Sequence, residues 1–364
     1  MKVFKRIIGV LLSLVLLVVL VVAGYVIYME AVYYRIPDHQ ILEPDNNATK
    51  QVNKNEEYSI TSYNFGFGAY SQDYTFFMDK GSKDGVETKG KESRARSKEE
   101  CLENMEGSAN ILKELNSDFM FIQEVDKKAH RSYFMDQESF LSEKFSSYGS
   151  TYALNYHMPY MCYPFPVPHG AVEAGLLTLS QYKITSSERR ALPITQNWIK
   201  KMFELDRSFM VNRLPITGSD KELVLINIHM SAYDEEGFRD KQVAMLNEVL
   251  KAEKSLGNYV IVGGDFNHDV SNSLNAFPTK QDRRTTMPRL TNTDLISGYT
   301  WADAKNNAPT CRNCNMPFIE GDTLTFVCDG FIVSDNIKIN LIENIDKKFK
   351  YTDHNPVYLK FELK

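Results

Sequence analysis

The feature that most constrains this chain is an uncharged apolar stretch near its start. Residues 7–29 contain no charged side chain. As a helix rising about 1.5 Å per residue, this stretch reaches about 34 Å, which is enough to cross the hydrocarbon of a bilayer. Lys2, Lys5 and Arg6 precede it and Glu30 follows it. The positive-inside rule therefore predicts a cytoplasmic segment 1–6, a single transmembrane helix 7–29 and an extracellular remainder.

A cleaved signal peptide is the alternative interpretation of the same stretch. Val21-Val22-Ala23 has the small-residue character of a cleavage site. However, the uncharged stretch continues through Tyr28, whereas the apolar region of a signal peptide covers about 7–15 residues. We therefore predict an uncleaved anchor in the cell membrane, and either outcome exports the rest of the chain.

The composition of the chain is that of a globular protein. Of the 364 residues, 43% are hydrophobic and 24% are charged, which excludes a disordered or collagen-like chain. The net charge is −5, so no basic tail is present that would hold nucleic acid by charge alone. Five cysteines are too few for a scaffold built on disulfides, so a hydrophobic core must hold the fold.

The segment that follows the apolar stretch has little periodicity. Residues 30–57 contain Pro37, Pro44 and several asparagines, a pattern typical of a linker or of a segment that wraps around a domain. We predict a linker over 30–57 and a folded domain over 58–364. Within that domain, the charged residues 79–96 predict a surface loop.

In the predicted domain, apolar strands alternate with amphipathic helices. Ser97 and Glu100 form a capping box before one helix, and residues 239–254 have the spacing of a second. The predicted strands are 58–63, 119–122, 175–180, 223–229, 259–263, 326–334 and 357–361. This alternation predicts an α/β domain in which hairpins make part of the sheet antiparallel.

Polar side chains collect where these apolar strands end. They are Asn64, Glu124, His229, Asp265, Asn267, Asp329, Asp353 and His354. Any one of them alone is more often a cap or a structural residue. Together they supply hard oxygen ligands for a divalent cation and two imidazoles for proton transfer, which suits phosphate-ester hydrolysis. Oxygen ligands favour Mg²⁺ or Mn²⁺ over zinc.

Six short segments resemble, in order, the motifs of the endonuclease/exonuclease/phosphatase superfamily, which includes deoxyribonucleases, sphingomyelinases and inositol-polyphosphate 5-phosphatases. The segments are Tyr63-Asn64, Ile122-Gln123-Glu124-Val125, Asn227-Ile228-His229, Gly264-Asp265-Phe266-Asn267, Cys328-Asp329-Gly330-Phe331-Ile332 and Thr352-Asp353-His354-Asn355-Pro356-Val357. The resemblance implies a four-layer sandwich of two packed mixed β-sheets flanked by helices.

The resemblance also implies a role for each matched residue. Glu124 would be the principal ligand of the metal, with Asp353 and Asn64 arranging the metal and its waters. Asp265 would orient or deprotonate the attacking water, and Asn267 would donate to a phosphate oxygen.

Two histidines complete the implied catalytic set. His354, held by Asp329, would be the general base or the imidazolium that stabilises the transition state. His229 would be the second imidazole on the phosphate side. Where some nucleases of the superfamily carry a further Asp, two residues after the first-strand Asn, this chain has Gly66.

Three further residues are candidates for substrate binding. Asp206-Arg207-Ser208-Phe209 is similar to a deoxyribonuclease segment that supplies a phosphate-binding Arg, with a surface ion pair as the alternative for Arg207. Arg131 and Asn155 lie in the stretch that we expect to form one wall of the cleft. The sequence shows neither a basic insertion that would grip DNA nor a hydrophobic hairpin that would enter a membrane.

Three cysteines near the C-terminal half of the motif set suggest a zinc site. Cys311, Cys314 and Cys328 have no histidine beside them in the sequence, so a closed four-ligand site is unsupported. A disulfide in an exported loop and free thiols each explain these cysteines better.

These inferences predict a membrane-tethered, metal-dependent phosphoesterase. A phosphodiesterase acting on nucleic acid or phospholipid head groups is the leading prediction, with Mg²⁺ or Mn²⁺ as cofactor. An inositide-type phosphomonoesterase and a catalytically silent extracellular binding module are the alternatives. Beyond its phosphate-ester substrate and the membrane, no protein partner is predicted.

Overall fold

The computed structural model describes residues 2–195, 197–198, 200–232, 237–270, 272–282, 287–306 and 308–364. Its first helix, α1 (Lys2–Val32), contains the predicted apolar stretch and extends a few residues beyond it at each end. By length and composition this helix can cross a membrane, a property that a signal sequence shares.

The first large sheet has six strands. In spatial order they are β18 (Ile337–Asn344), β19 (Val357–Leu363), β2 (Glu57–Asn64), β5 (Phe119–Ala129), β7 (Gly170–Ser180) and β6 (Gly149–Met161). β2 and β5 are parallel, and every other neighbouring pair is antiparallel. The sheet is therefore mixed, as the alternation of strands and helices predicts.

The second large sheet has seven strands and the same mixed character. In spatial order they are β1 (Gln40–Leu42), β8 (Ser186–Ala191), β9 (Ser208–Pro215), β10 (Glu222–His229), β11 (Tyr259–Asp265), β17 (Asp329–Ser334) and β14 (Tyr299–Ala302). Here β10 and β11 are parallel, and the other pairs are antiparallel.

Helices and short ribbons complete the domain. The helices are α2 (Lys98–Leu115), α3 (Gln137–Lys144) and α4 (Phe238–Leu256); the ribbons are β3 (Lys80–Lys83) with β4 (Val86–Lys89), β12 (Asp269–Val270) with β13 (Arg289–Leu290), and β15 (Cys311–Arg312) with β16 (Thr325–Phe326). The Ser97 side chain accepts from the amide of Glu100 at 3.0 Å, which confirms the predicted helix start. The predicted loop over 79–96 was wrong in part, because it contains the hairpin β3–β4.

The two parallel pairs position the polar strand ends. β2 and β5 are joined through α2, and β10 and β11 through α4. Asn64 lies opposite Gln123 in one pair, and His229 lies opposite Asp265 in the other. Because parallel strands end at the same edge of a sheet, each βαβ unit delivers its polar residues to one place, where open α/β sheets bind ligands.

The core lies between the two sheets and on their outer faces. Phe121 and Phe331 meet between the sheets with ring centroids 6.5 Å apart. Met105 and Leu112 of α2 pack on the outside of the first sheet, and Leu246 of α4 packs on the outside of the second. These contacts confirm the four-layer α/β sandwich.

Residues 33–57 do not form the free linker that their composition suggests. β1 pairs with β8 in the second sheet, Val52 is fully buried and pairs with Ile216, and Arg35 forms an ion pair with Asp206 at 3.4 Å. Of the two interpretations of this segment, the wrapping one is therefore correct, and the folded unit includes residues before the predicted boundary at 58.

Candidate active site

Asn64 joins the two sheets at the centre of the site. Its side-chain amide donates to Oε1 of Glu124 at 3.3 Å and to Oδ2 of Asp265 at 3.1 Å. Its side-chain carbonyl oxygen, Oδ1, accepts from the backbone amide of Gly66 at 3.0 Å. Asn64 therefore holds one carboxylate from each sheet in place, and its own carbonyl oxygen is already bonded.

Glu124 and Asp353 face the cleft. Both are partly exposed, whereas Asp265, His229 and His354 are buried. Glu124 lies at an irregularity in the pairing of β5 with β7 and has a left-handed backbone, with φ at 54°. A non-glycine residue in this conformation is strained, and such strain concentrates at functional sites.

The environment of the site disfavours the charged form of its carboxyl groups. Burial, with the neighbouring Asp353, raises the pKa of Glu124. Burial also raises the pKa of Asp353, and burial together with Asp329 raises the pKa of Asp265. A divalent cation among these oxygens would remove this cost, so the residues present fit the metal that the motif set implies.

The two imidazoles converge on one carboxylate, but their pKa values are shifted in opposite directions. Nε2 of His229 lies 3.4 Å from Oδ2 of Asp265, and Nε2 of His354 lies 3.7 Å from the same atom. Nδ1 of His354 is bonded to Oδ2 of Asp329 at 2.8 Å. Burial, with the Arg207 charge, holds the pKa of His229 well below its usual range. Burial opposes the charge on His354 as well, yet Asp329 keeps the pKa of His354 well above its usual range.

Asn267 follows Asp265 in a left-handed turn. Its φ is 51°, its backbone amide donates to Oδ1 of Asp265 at 2.9 Å, and its side-chain amide donates to the carbonyl of Met230 at 2.9 Å. Gly263 and Gly264 lie inside β11, where a side chain at Gly264 would collide with the carbonyl of Ile228.

Arg207 is the candidate for binding an anion. It is buried, and its Nε and Nη1 have no hydrogen-bond partner among the described residues. Nδ2 of the buried Asn155 likewise has none. The alternative of a surface ion pair at Arg207 was wrong, since the neighbouring Asp206 makes that pair with Arg35. Unsatisfied buried donors are costly, and a phosphate oxygen would satisfy them.

Arg131 differs from the other predicted substrate-binding residues. Its guanidinium donates to both oxygens of Asp126, at 2.8 and 3.1 Å, and lies 3.9 Å from the centre of the Phe67 ring. These contacts give Arg131 a structural role that needs no substrate.

Sequence reasoning overlooked a polar bridge beneath the site. Nε2 of Gln123 donates to Oδ1 of Asn227 at 2.8 Å, and Asn227 donates to the carbonyl of Leu177 at 3.0 Å. The motifs contained both residues, but only their neighbours Glu124 and His229 were given roles. Their place at the paired strand ends was the signal that could have identified this bridge between the sheets.

Comparisons with known proteins identify the family. Residues 97–317 match the model of the endonuclease/exonuclease/phosphatase family. This chain belongs to that family and is a phosphate-ester hydrolase. The family depends in general on divalent metals. A search of the curated proteins found no match.

Solved structures share the fold at low sequence identity. An endonuclease/exonuclease/phosphatase from Beutenbergia cavernae is 12% identical over 84% of this chain and 72% of that chain, with a TM-score of 0.56. A Bacteroides vulgatus protein of the same description is 13% identical over 85% and 100%, with a TM-score of 0.50. ANGEL2, a 2',3'-cyclic phosphatase in complex with adenosine-2',3'-vanadate, is 14% identical over 88% and 98%, with a TM-score of 0.52.

Substituting Gly66 tests how closely its backbone approaches Asp353. Its φ is 53°, and an added Cβ would lie 2.7 Å from Oγ1 of Thr352 and 3.1 Å from Oδ1 of Asp353. We expect Gly66→Ala to displace Asp353 and lower turnover at least about tenfold, a loss of about 1.4 kcal/mol in transition-state stabilisation. Steady-state kinetics and urea denaturation measure the two effects.

Gly85 offers a matched control for this change. Its φ is 74°, but an added Cβ would meet nothing within 4 Å. Gly85→Ala should therefore show only the cost of a left-handed alanine, about 1–2 kcal/mol, with normal turnover. Equal kinetics in the two variants would contradict a close approach at Gly66.

Proposed function

We propose that this protein is a membrane-tethered, Mg²⁺-dependent phosphodiesterase that hydrolyses the head groups of phospholipids on the outer face of the cell membrane. One observation carries this proposal: the end of α1 is bonded to the end of β6, in the sheet that also carries Glu124. We call the end of β6 and the loop after it the rim. The Tyr25 hydroxyl donates to the carbonyl of Tyr160 at 3.0 Å, and the amide of Tyr160 donates to the Tyr28 hydroxyl at 3.2 Å.

The loop after Tyr160 continues this rim with exposed apolar side chains. Phe165 is 77% exposed, Tyr163 49% and Val167 47%. The loop is bonded to the segment that precedes α2, because the Ser93 hydroxyl donates to the carbonyl of Val167 at 2.7 Å. The sequence indicated no hydrophobic hairpin, yet this loop presents apolar side chains next to the proposed membrane anchor, where a lipid surface would cover them.

The residues of the site divide into metal-binding and phosphate-binding groups. Glu124 and Asp353 would hold the metal, and Asn64 would fix Glu124 relative to Asp265. When bound, Mg²⁺ supplies positive charge to the phosphoryl oxygens. Arg207 and Asn155 would bind the remaining phosphate oxygens, using the donors that have no partner among the described residues.

Proton transfer would follow from the unequal imidazoles. Asp265 lies within reach of both rings and would orient the attacking water. His354, kept cationic by Asp329, would stabilise the negative charge that develops on the phosphoryl oxygens, while neutral His229 would accept a proton on the phosphate side. Groups whose environments push their pKa values apart mark the acid and base assignments in enzymes. Asn267 would donate to a phosphate oxygen through the amide hydrogen that Met230 does not use.

Nucleic acid is the less favoured substrate. ANGEL2 was crystallised with a nucleotide analogue, but a likeness at 14% identity concerns the fold alone. The net charge of −5 and the apolar rim favour a lipid surface over a polyanion. The outward orientation rests on Lys2, Lys5 and Arg6 before the apolar helix.

Glu124→Gln tests the metal assignment. Glu124 lies just past the point where the pairing of β5 with β2 ends, and it is partly exposed. We therefore expect the fold to persist while Mg²⁺ affinity falls at least about tenfold, because the change removes a charged ligand. The Mg²⁺ dependence of the hydrolysis rate measures this shift. An unchanged dependence would contradict the role of Glu124 as a ligand.

A double-mutant cycle tests the pair of His354 and Asp329. We expect His354→Ala and Asp329→Asn each to lower turnover, with Asp329→Asn the milder change, because the carboxylate acts only by orienting the ring and stabilising its cation. The loss in the double variant should be smaller than the product of the single losses. Strictly multiplicative losses in kcat would show that the two side chains act independently.

The substrate proposal is tested with the full chain reconstituted in lipid vesicles. We expect Mg²⁺-dependent release of phosphocholine from sphingomyelin or phosphatidylcholine and hydrolysis of soluble bis-p-nitrophenyl phosphate, both abolished by EDTA. Phe165→Ser should lower lipid turnover several-fold and leave the soluble diester unaffected. Leu256→Ser is the matched control, since Leu256 is 54% exposed at the end of α4, which leads to the start of β11 rather than to its Asp265 end.

Other outcomes of this experiment select the alternatives. Faster cleavage of single-stranded DNA than of lipid would indicate a nuclease, and activity on p-nitrophenyl phosphate alone would indicate a phosphomonoesterase. No EDTA-sensitive activity on any ester would favour the silent binding module. Activity of whole cells on the added soluble diester only after the membrane is opened would reverse the orientation.

A further inference from the structure

Two thiols converge on the ring of His354. Sγ of Cys311 lies 3.7 Å from Nε2 of His354. The ligand atoms of Cys311, Cys328 and His354 all lie within 4.8 Å of one another, and all three residues are buried. Both cysteines are free thiols. His354 is distant from Cys311 and Cys328 in the sequence and approaches them only in the folded chain.

This spacing is that of a tetrahedral zinc site. Zinc binds sulfur at about 2.3 Å and imidazole nitrogen at about 2.0–2.1 Å, which places neighbouring ligand atoms about 3.6–3.8 Å apart. The 3.7 Å between Cys311 and His354 matches that separation. The Cys328 thiol lies within 4.8 Å of the other two ligand atoms. It would need to move by no more than about 1 Å to reach the tetrahedral separation, which a rotation about its own side chain provides.

The surroundings of His354 suit a metal on Nε2. Nδ1 is bonded to Oδ2 of Asp329 at 2.8 Å, which directs the lone pair of Nε2 toward the thiols when the ring is neutral. A histidine that ligates a metal commonly donates its other nitrogen to a carboxylate in this way. A tetrahedral cation needs a fourth ligand. Oδ2 of Asp265 lies 3.7 Å from Nε2 of His354 and could take that position.

The thiol side and the carboxylate side of the site differ in metal preference. Glu124 and Asp353 present hard oxygen atoms, whereas Cys311, Cys328 and His354 present soft sulfur and nitrogen. Thiolate and imidazole ligands select zinc and similar cations over Mg²⁺. A thiol–imidazole hydrogen bond is the simpler interpretation of the 3.7 Å contact, and the Cys328 thiol donates to Oδ2 of Asp329 at 3.5 Å. A bound cation would use both thiols and the ring together.

We propose that Cys311, Cys328 and His354 form a binding site for Zn²⁺ or a similar thiophilic divalent cation, and that its occupation switches the enzyme off. The inhibitory part rests on the proposed function, because it uses the catalytic role given to His354. A cation on Nε2 takes the lone pair that would carry the proton, and it draws Asp265 away from the attacking water. The binding part depends on the three side chains alone.

Binding is measured with Co²⁺, whose thiolate complexes absorb in the near ultraviolet. We expect the full-length protein to develop a thiolate-to-cobalt band that Zn²⁺ removes. Cys311→Ser and Cys328→Ser should each lose the band or bind Co²⁺ at least about tenfold more weakly. Cys162→Ser is the control and should keep it, since Cys162 lies in the rim loop outside the cluster.

The same titration is followed in the wild-type chain by thiol alkylation and by activity. Zn²⁺ should protect Cys311 and Cys328 from alkylation but not Cys162, which keeps the test valid if a serine variant fails to fold. At saturating Mg²⁺, Zn²⁺ should inhibit the wild type, whereas the rate of Cys311→Ser in Zn²⁺ should stay at the rate that the same variant shows without Zn²⁺.

The possible outcomes distinguish the metal site, its inhibitory effect and the proposed function from one another. No cobalt band in the wild type, or a band that survives both serine variants, would overturn the site. A normal band with undiminished activity in Zn²⁺ would overturn the switch. A normal band in a protein that hydrolyses no phosphate ester would support the site and count against the proposed function instead.

Discussion

The side-chain amide of Asn64 holds the two halves of the site together. It donates to a carboxylate on each of the two sheets, Glu124 and Asp265, and its own position is fixed by the amide of Gly66. Each parallel strand pair ends at this point. The packing of one sheet on the other therefore sets the distances between the catalytic groups. A shift of one sheet against the other would separate the oxygens from the imidazoles, so the core between the sheets also holds the chemistry in place.

The carboxylates around Asp265 give two histidines different properties. His354 has Asp329 as a close partner, whereas His229 has the distant charge of Arg207 and a more remote contact with Asp265. Burial penalises the cation in both rings, and only the ring with a bonded carboxylate overcomes that penalty. Sequence motifs identify both histidines but cannot assign this difference, because it depends on which acid lies within bonding distance after folding.

Local sequence signals predicted the parts of the fold that they control. The cap at Ser97 and the apolar runs of β2, β5, β10 and β11 are visible in the chain because burial on one or both faces leaves a periodic pattern. β8 and β18 left no such pattern. β8 is rich in charge, and its Arg189 is buried only because backbone carbonyls, including that of Leu154, accept from it. β18 is an edge strand with mostly exposed or part-exposed side chains. The wrapping of residues 33–57 and the approach of Cys311 to His354 depend on tertiary contacts, so no local pattern reports them.

The wrapped segment has a consequence for how this enzyme would meet its substrate. With residues 33–57 fixed on the domain and the end of α1 bonded to Tyr160, little slack separates the proposed anchor from the catalytic rim. A flexible tether would let the domain sample a volume above the bilayer. A domain held this closely samples a plane instead, so its rate would follow the mole fraction of substrate in the surrounding lipid. Diluting that lipid with an inert one would then slow the enzyme even when the total amount of substrate in the sample is unchanged.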